Sequence, residues 1–386
     1  MLLPRIVPGY LWVLIGFGAF FWRAPAHSTF PDFRYKAPAA DAASSEPVFG
    51  SEMIPNVRTR HVHAASHIEL PDGRIMAFWY GGEREGAKDV AIYQAAFDPQ
   101  SKQWSTPIAV VTREQTQAAY QVYVKKIGNA VATIDSANTL WLFYVTTAIG
   151  GWATSSINVM TSEDLGLSWS NPTRLMAAPL FNISHLVKGN PIELADGTIG
   201  LPAYHQAGGK FSEWLHIGKD KQVINKSRIT SGTYAIQPSI VVLSERQAVA
   251  FMRDSGEVSK RVHVSVTNDG AKTWLPSQNL SIKNPNAAVA VQKLSKNELI
   301  MVFNDDEEER HNLTLAYSGD QGKNWRNIAT LENEQGQVPA EAEEREYSYP
   351  YLIRTKNNTF HLLYTWHTTH IKHLYFNQAW LRQHTI

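Results

Sequence analysis

The chain is 386 residues long, with 36 Lys and Arg against 35 Asp and Glu, and it has no cysteine. The missing cysteines exclude a disulfide framework, a thiolate metal site and a cysteine nucleophile, and a net charge of +1 lacks the basic excess of a dedicated nucleic-acid binder. A hydrophobic share of 44% with a charged share of 18% marks a folded chain, not a disordered one.

Residues 1–26 read as an export signal. Arg5 is a short positive region, Tyr10–Trp22 is an apolar run, and Ala24-Pro25-Ala26 has the small-x-small pattern of a cleavage site. As a helix that run spans about 20 Å against a hydrocarbon core of roughly 30 Å, which favours a cleaved signal over a retained anchor. Residues 27–50, rich in Pro, Ala and Ser, read as a linker, and the mature fold is expected over residues 51–386. The expected location is periplasmic or secreted, or membrane-anchored if the segment is uncleaved, with no membrane insertion of the mature domain.

From Ser51 onward no helical periodicity is sustained. Short apolar runs recur instead at Ile75–Tyr80, Leu140–Val145, Ile240–Leu243, Glu298–Phe303 and Thr359–Tyr364, each of strand length. Turn pairs stand before some of them, such as Asp72-Gly73 and Asn357-Asn358. A longer repeat overlies these runs. Ser162-Glu-Asp164-Leu-Gly166-Leu-Ser-Trp169 recurs as Ser318-Gly-Asp320-Gln-Gly322-Lys-Asn-Trp325, and imperfectly as Thr267-Asn-Asp269-Gly270-Ala-Lys-Thr-Trp274. A degraded copy runs from Phe97-Asp98 to Trp104, and one copy is lost near Lys219-Asp220. Asp caps the turn, Gly supplies a positive φ and Trp packs under the hairpin. Repeats of roughly 50 residues with four strands each are propeller blades. The fold class is therefore all-β, a six-bladed β-propeller with hairpin turns of this type.

These turns resemble the Asp boxes of the sialidase (neuraminidase) superfamily, and the resemblance covers nearly the whole chain after residue 50. His63–Gly73 and Trp79–Ile92 look like the matching segments of a predicted bacterial sialidase branch. The resemblance implies a site with an arginine triad for a substrate carboxylate, an Asp acid/base and a Tyr nucleophile paired with a Glu. Arg253 and Arg310 match the second and third arginines, Asp89 the acid/base and Tyr347 the nucleophile. Two positions differ. His63 stands where the first arginine belongs, and Gln237 where the glutamate belongs.

The chemistry of these residues agrees with that assignment in part. A guanidinium is a planar fork that holds a carboxylate bidentately and stays charged. Asp89 follows a Gly-rich loop, where a rigid scaffold presents catalytic groups. A neutral phenol suits an anomeric carbon that itself bears a carboxylate, because an anionic nucleophile would be repelled. Gln237 has no basicity to take the phenol's proton, and Glu346 and Asp254 are the substitutes at hand. His61 and His63 share one side of a strand. No His or carboxylate spacing suggests a metal, and no cofactor is expected.

Three functions remain open. The first is an exo-acting sialidase-like hydrolase releasing a terminal 2-keto acid sugar from an acidic glycan. The second is a polysaccharide lyase on uronate glycans, with His63 or His205 as base and Tyr347 assisting. The third is a non-catalytic propeller that binds acidic glycans.

Overall fold

Six antiparallel sheets follow one another along the chain in a computed structural model that describes residues 30–37, 46–56, 59–178, 182–230, 232, 234–256, 258–333, 338, 342 and 344–385. The expected export signal lies outside the described residues. Blade 1 holds His61–Glu69, Ile75–Gly82, Ala91–Asp98 and Gln103–Trp104, with Ile108–Val111 also paired to the third strand. Blade 2 holds Lys126–Ile134, Leu140–Thr147, Ser155–Ser162 and Thr173–Arg174. Blade 3 has a divided first strand, His185–Val187 then Ile192–Glu193, followed by Ile199–His205, Phe211–Ile217 and Val223–Arg228. Blade 4 holds Ala235–Val242, Ala248–Asp254, Arg261–Thr267 and Gln278–Lys283. Blade 5 holds Ala290–Lys293, Leu299–Phe303, Leu313–Ser318 and Arg326–Glu332. Blade 6 holds Tyr347–Arg354, Thr359–Trp366 and His370–Asn377, and the N-terminal strand Phe49–Met53 completes it. The ring thus closes through the register Phe49↔Phe376 to Met53↔Lys372.

Second strands read as continuous apolar runs because both their faces are covered by neighbouring blades. Leu140–Thr147 and Leu299–Phe303 are buried at every position. Outer strands alternate, as Val223–Arg228 does, because one face meets water. The cores therefore lie between blades. Phe78, Tyr80, Leu142 and Met160 pack at the blade 1–2 boundary, and Leu315, Leu352 and Leu362 at the blade 5–6 boundary.

The repeated turns join third to fourth strands, and their hydrogen bonds explain the repeat. Ser162 Oγ accepts from Gly166 N at 2.8 Å, and Asp164 Oδ1 accepts from Ser168 N at 2.8 Å. Thr267/Asp269 and Ser318/Asp320 make the same pair of bonds. Gly166 and Gly322 have φ of 88° and 89°, but in the 267–274 copy the equivalent place is Ala271, with φ 67°, and Gly270 stands one residue earlier. The tryptophans do more than cover their own hairpins. Trp169 meets Phe78 of blade 1 edge-on at 5.8 Å, and Trp325 meets Phe251 of blade 4 at 5.6 Å. Each staples its blade to the one before.

A second regularity sets the site. Near the start of the first strand, the ladder skips in blades 1, 2, 4 and 6. Within these skips Ala64, Asn129, Gln237 and Tyr349 have φ of 54°, 25°, 56° and 54°. Asn286, with φ 54°, takes this place in blade 5, just before Ala290–Lys293. In blade 3 the pairing breaks between Val187 and Ile192, so Lys188 lies in the interruption.

Part of the segment read as linker is built into the propeller. Phe33 is buried against Trp214 at 5.8 Å and bridges Leu194 of blade 3. Its N–H donates to Glu245 O in blade 4 at 2.7 Å, and Tyr35 Oη meets Lys293 Nζ of blade 5 at 3.1 Å. The helix Arg113–Tyr120, between blades 1 and 2, is an insertion that the strand pattern did not announce; Thr112 and Gln115 cap it reciprocally.

Two expectations follow. Phe33→Ala removes a buried aromatic packed on Trp214 of blade 3, and a loss of about 3–5 kcal/mol is expected in denaturant unfolding. A change under 1 kcal/mol would mean that the strap is not part of the fold. The second concerns His67 and His361, buried at the blade 6–1 boundary. Burial lowers them from 6.5 to about 3 and about 4. Below pH 6.5 the unfolded chain binds protons that the folded chain refuses. Their stability contribution is complete above pH 6.5 and falls by up to about 1.4 kcal/mol per pH unit for each histidine as pH drops toward those values. Unfolding followed from pH 7 to pH 4.5 should show this decline, and His361→Asn should flatten it.

Candidate active site

The skips leave Asn129, Gln237 and Tyr349, from blades 2, 4 and 6, sharing hydrogen-bond partners at one mouth. Around that mouth, Arg253 Nε donates to Asn286 Oδ1 at 2.6 Å, and its Nη1 donates to Gln237 Oε1 at 3.2 Å. The same Nη1 is 3.5 Å from the Tyr349 hydroxyl. Arg310 Nη2 donates to Asn286 O at 2.7 Å, and its Nη1 to Glu346 Oε2 at 3.1 Å. Two guanidiniums from different blades are thus held by one asparagine. Gln237 Nε2 and Asn129 Nδ2 both lie 3.3 Å from the Tyr204 hydroxyl. A cavity of about 450 Å³ opens beside Arg310, lined by Asn286, Glu309, Arg345 and Glu346 among others.

His63 lies edge-on to Tyr349 at 4.5 Å and near Tyr80 at 5.7 Å. Burial lowers its imidazole to about 3, so it is neutral and offers a hydrogen bond but no charge. Lys188 is buried below the mouth. Its Nζ donates to Pro350 O at 3.1 Å and sits 5.0 and 5.7 Å from the Tyr351 and Tyr349 ring centres. Desolvation lowers this amine to about 7. Burial would raise the Glu346 carboxyl, but the Arg310 guanidinium and the Ser348 hydroxyl hold it below the usual carboxylate value. Burial pushes Tyr80 and Tyr204 upward, with nearby Glu85 and Tyr349 adding to the effect.

The expected site residues therefore separate. Arg253, Arg310, Gln237 and His63 come together. Tyr347 does not join them. It lies in the apolar wall between blades 5 and 6, its hydroxyl donating to Asn333 O at 3.1 Å and its ring 4.7 Å from His367. The mouth's tyrosine is Tyr349. Asp89 is exposed on its loop and accepts from Glu83 N at 2.8 Å, acting as a turn cap. Asp254, a proposed substitute base, is taken up by the Lys260, Gly256 and Ser259 amides, with His263 at 3.6 Å. Glu346 is in the cluster. His205 stacks on Phe211 at 4.7 Å and makes no bond to the cluster. Among the described residues, no three His, Asp or Glu side chains are grouped to hold a metal. Strand counting missed Tyr349, Lys188 and Asn286. One signal was present: Gln237-Pro238 and Tyr349-Pro350 put proline inside inner strands, and an interior-strand proline sits at a bulge.

A family model described as BNR repeat-like domain matches residues 73–362. No curated protein matches the sequence. Among solved structures, a Hadza microbial sialidase superposes with a TM-score of 0.64 at 16% identity, covering 81% of this chain and 65% of that one. This chain thus spans just under two thirds of that sialidase. A protein of unknown function from Dyadobacter fermentans gives 0.67 at 13% identity, covering 85% and 97%. A Penicillium chrysogenum alpha-L-arabinanase complexed with arabinobiose gives 0.61 at 13%, covering 88% and 99%. At such identities the likeness establishes the fold.

Lys188 offers a test of the site's electrostatics. Unfolded, it titrates near 10.5; folded, near 7. Between these values the unfolded chain binds more protons, so stability falls as pH drops from 10.5 to 7 and is level below. Lys188→Met should therefore melt several degrees above the parent at pH 7, with the difference shrinking toward pH 10. Equal melting at pH 7 would contradict a strained buried amine.

Proposed function

Because this chain belongs to the BNR repeat-like domain family, in the sialidase superfamily of six-bladed propellers, we propose that it is an exo-acting glycoside hydrolase releasing a terminal carboxylate-bearing 2-keto sugar. The observation that carries this reading is the pair of guanidiniums, Arg253 and Arg310, joined through Asn286. Two fixed forks at one mouth match a single carboxylate, and their charge is strengthened by the partly desolvated setting.

Tyr349, in contact with Arg253 and His63, is the nucleophile in this reading. In the first step a loop carboxylic acid gives its proton to the glycosidic oxygen. That C–O bond breaks with its electron pair on the departing oxygen. The Tyr349 oxygen bonds to the anomeric carbon, and its phenol proton passes to water. In the second step water attacks the same carbon and loses a proton to the loop carboxylate. Tyr349 leaves with its bonding pair and regains a proton from solvent. Two displacements retain the anomeric configuration; tyrosine-nucleophile sialidases are a recognised exception to the two-carboxylate scheme. Gln237 holds Arg253 and Tyr204 and serves no proton transfer. His63 replaces a third charge with a neutral hydrogen bond, so carboxylate binding is weaker than three arginines would give.

One observation favours a second reading. With an amide at position 237 on Arg253 and a neutral His63 against Tyr349, elimination on a uronate would have His63 take the proton α to the carboxylate while the β C–O bond breaks with its pair on the departing oxygen, the arginines neutralising the carboxylate. It leaves an unsaturated, ultraviolet-absorbing product, which hydrolysis does not.

With a 4-methylumbelliferyl sialoside, Tyr349→Phe and Arg253→Ala should each lower kcat/KM about 100-fold or more, the scale of a lost buried charge contact. Tyr347→Phe should stay within about threefold. The reverse pattern for the two tyrosines would return the nucleophile to Tyr347, and ultraviolet absorbance growing on uronate glycans would favour elimination.

A further inference from the structure

We propose that Glu85 is the general acid on the Glu83–Asp89 loop, positioned by Trp152 from the adjoining blade. This rests on the hydrolase reading above and names its missing acid. The two carboxylates at issue occupy different sides of one loop. Asp89 is spent on the loop itself, where its Oδ2 accepts from Glu83 N at 2.8 Å. The charge of Asp89 reaches Tyr93, whose ring stacks on Trp79 at 6.2 Å, away from the arginines. The charge of Glu85 reaches Tyr80, which lies beside His63, and Tyr204, which bonds Gln237.

The support under Glu85 is built from blade 2. Glu85 Oε1 accepts from Trp152 Nε1 at 2.9 Å. The Trp152 ring lies on Gly128, where a Cβ would come within 2.5 Å of Cη2. Only glycine at 128 leaves room for the six-membered end of the indole. Lys126 Nζ sits 5.6 Å over the same ring. Gly128 adjoins Asn129, the blade 2 residue of the mouth. An indole N–H bonded to one carboxyl oxygen leaves the other free for a glycosidic oxygen. Glu85 in its acid form gives that oxygen its proton as the anomeric C–O bond breaks with its pair on oxygen. The carboxylate left behind then takes a proton from the attacking water. Trp152 touches no reacting atom and is a positioning residue.

The test is leaving-group dependence. Glu85→Gln, Asp89→Asn and Trp152→Phe are compared on 4-methylumbelliferyl sialoside, whose phenol leaves without help, and on sialyllactose, whose sugar alcohol needs a proton. Glu85→Gln should lose about 100-fold or more on sialyllactose and under about tenfold on the aryl substrate. Trp152→Phe should show the same skew, smaller. Asp89→Asn should lower both rates alike or neither. A skew in Asp89→Asn and none in Glu85→Gln would return the role to Asp89. Quenching of tryptophan fluorescence by free N-acetylneuraminate, lost in Trp152→Phe, is read in parallel. Quenching without cleavage of either substrate by the parent would overturn the hydrolase reading and the acid role with it. Cleavage with no skew in Glu85→Gln would overturn the acid role alone.

Discussion

The site depends on a backbone constraint repeated around the ring. Near the start of five of the six inner strands, a residue other than glycine adopts a left-handed conformation: Ala64, Asn129, Gln237, Asn286 and Tyr349. Each costs on the order of 1 kcal/mol. The distortion persists because the blade on either side fixes the strand, and at Asn129, Gln237, Asn286 and Tyr349 it brings the side chain to the mouth. In the remaining blade a broken ladder does the same for Lys188. The mouth therefore collects an amide, an amine and a phenol from the starts of the inner strands, with Arg253 from a second strand and Arg310 from the loop between Phe303 and Leu313.

That rigidity has its source elsewhere. Trp169 and Trp325 fasten blades 2 and 5 to their predecessors, Phe49–Met53 closes the ring, and Phe33 links blades 3 and 4. With the ring held this way, a cysteine-free chain needs no covalent staple. The same burial keeps His63 neutral and depresses Lys188 toward neutrality. The cations of the mouth are consequently few and partly desolvated, a setting in which one carboxylate would be held strongly. The net charge of +1 conceals this local arrangement.

Much of the fold was legible in the sequence because its causes are local. The Ser/Thr-x-Asp turns carry their own hydrogen bonds within eight residues, and apolar runs such as Leu140–Val145 mark second strands directly. Arg253, Arg310, His63 and Gln237 were legible through resemblance and do converge. The tyrosine was not, for a physical reason. Period-two counting puts Tyr347, Tyr349 and Tyr351 on one face, but the skip at Tyr349 breaks the period, sending Tyr347 into the blade 5–6 wall and Tyr349 to the mouth. The Phe33 strap was hidden because a Pro- and Ala-rich segment looks like a linker until a groove exists to receive Phe33. Lys188 was hidden because a charged residue reads as surface, and only the closed ring buries it.

The central claim is that a carboxylate-bearing sugar is held jointly by Arg253 and Arg310 with its anomeric carbon facing Tyr349. The most direct measurement is a crystal structure with 2-deoxy-2,3-didehydro-N-acetylneuraminate. The account predicts the ligand carboxylate within hydrogen-bond reach of both guanidiniums and the ring's second carbon next to the Tyr349 oxygen. A carboxylate bound by neither arginine, or a ring placed against Tyr347, would contradict it.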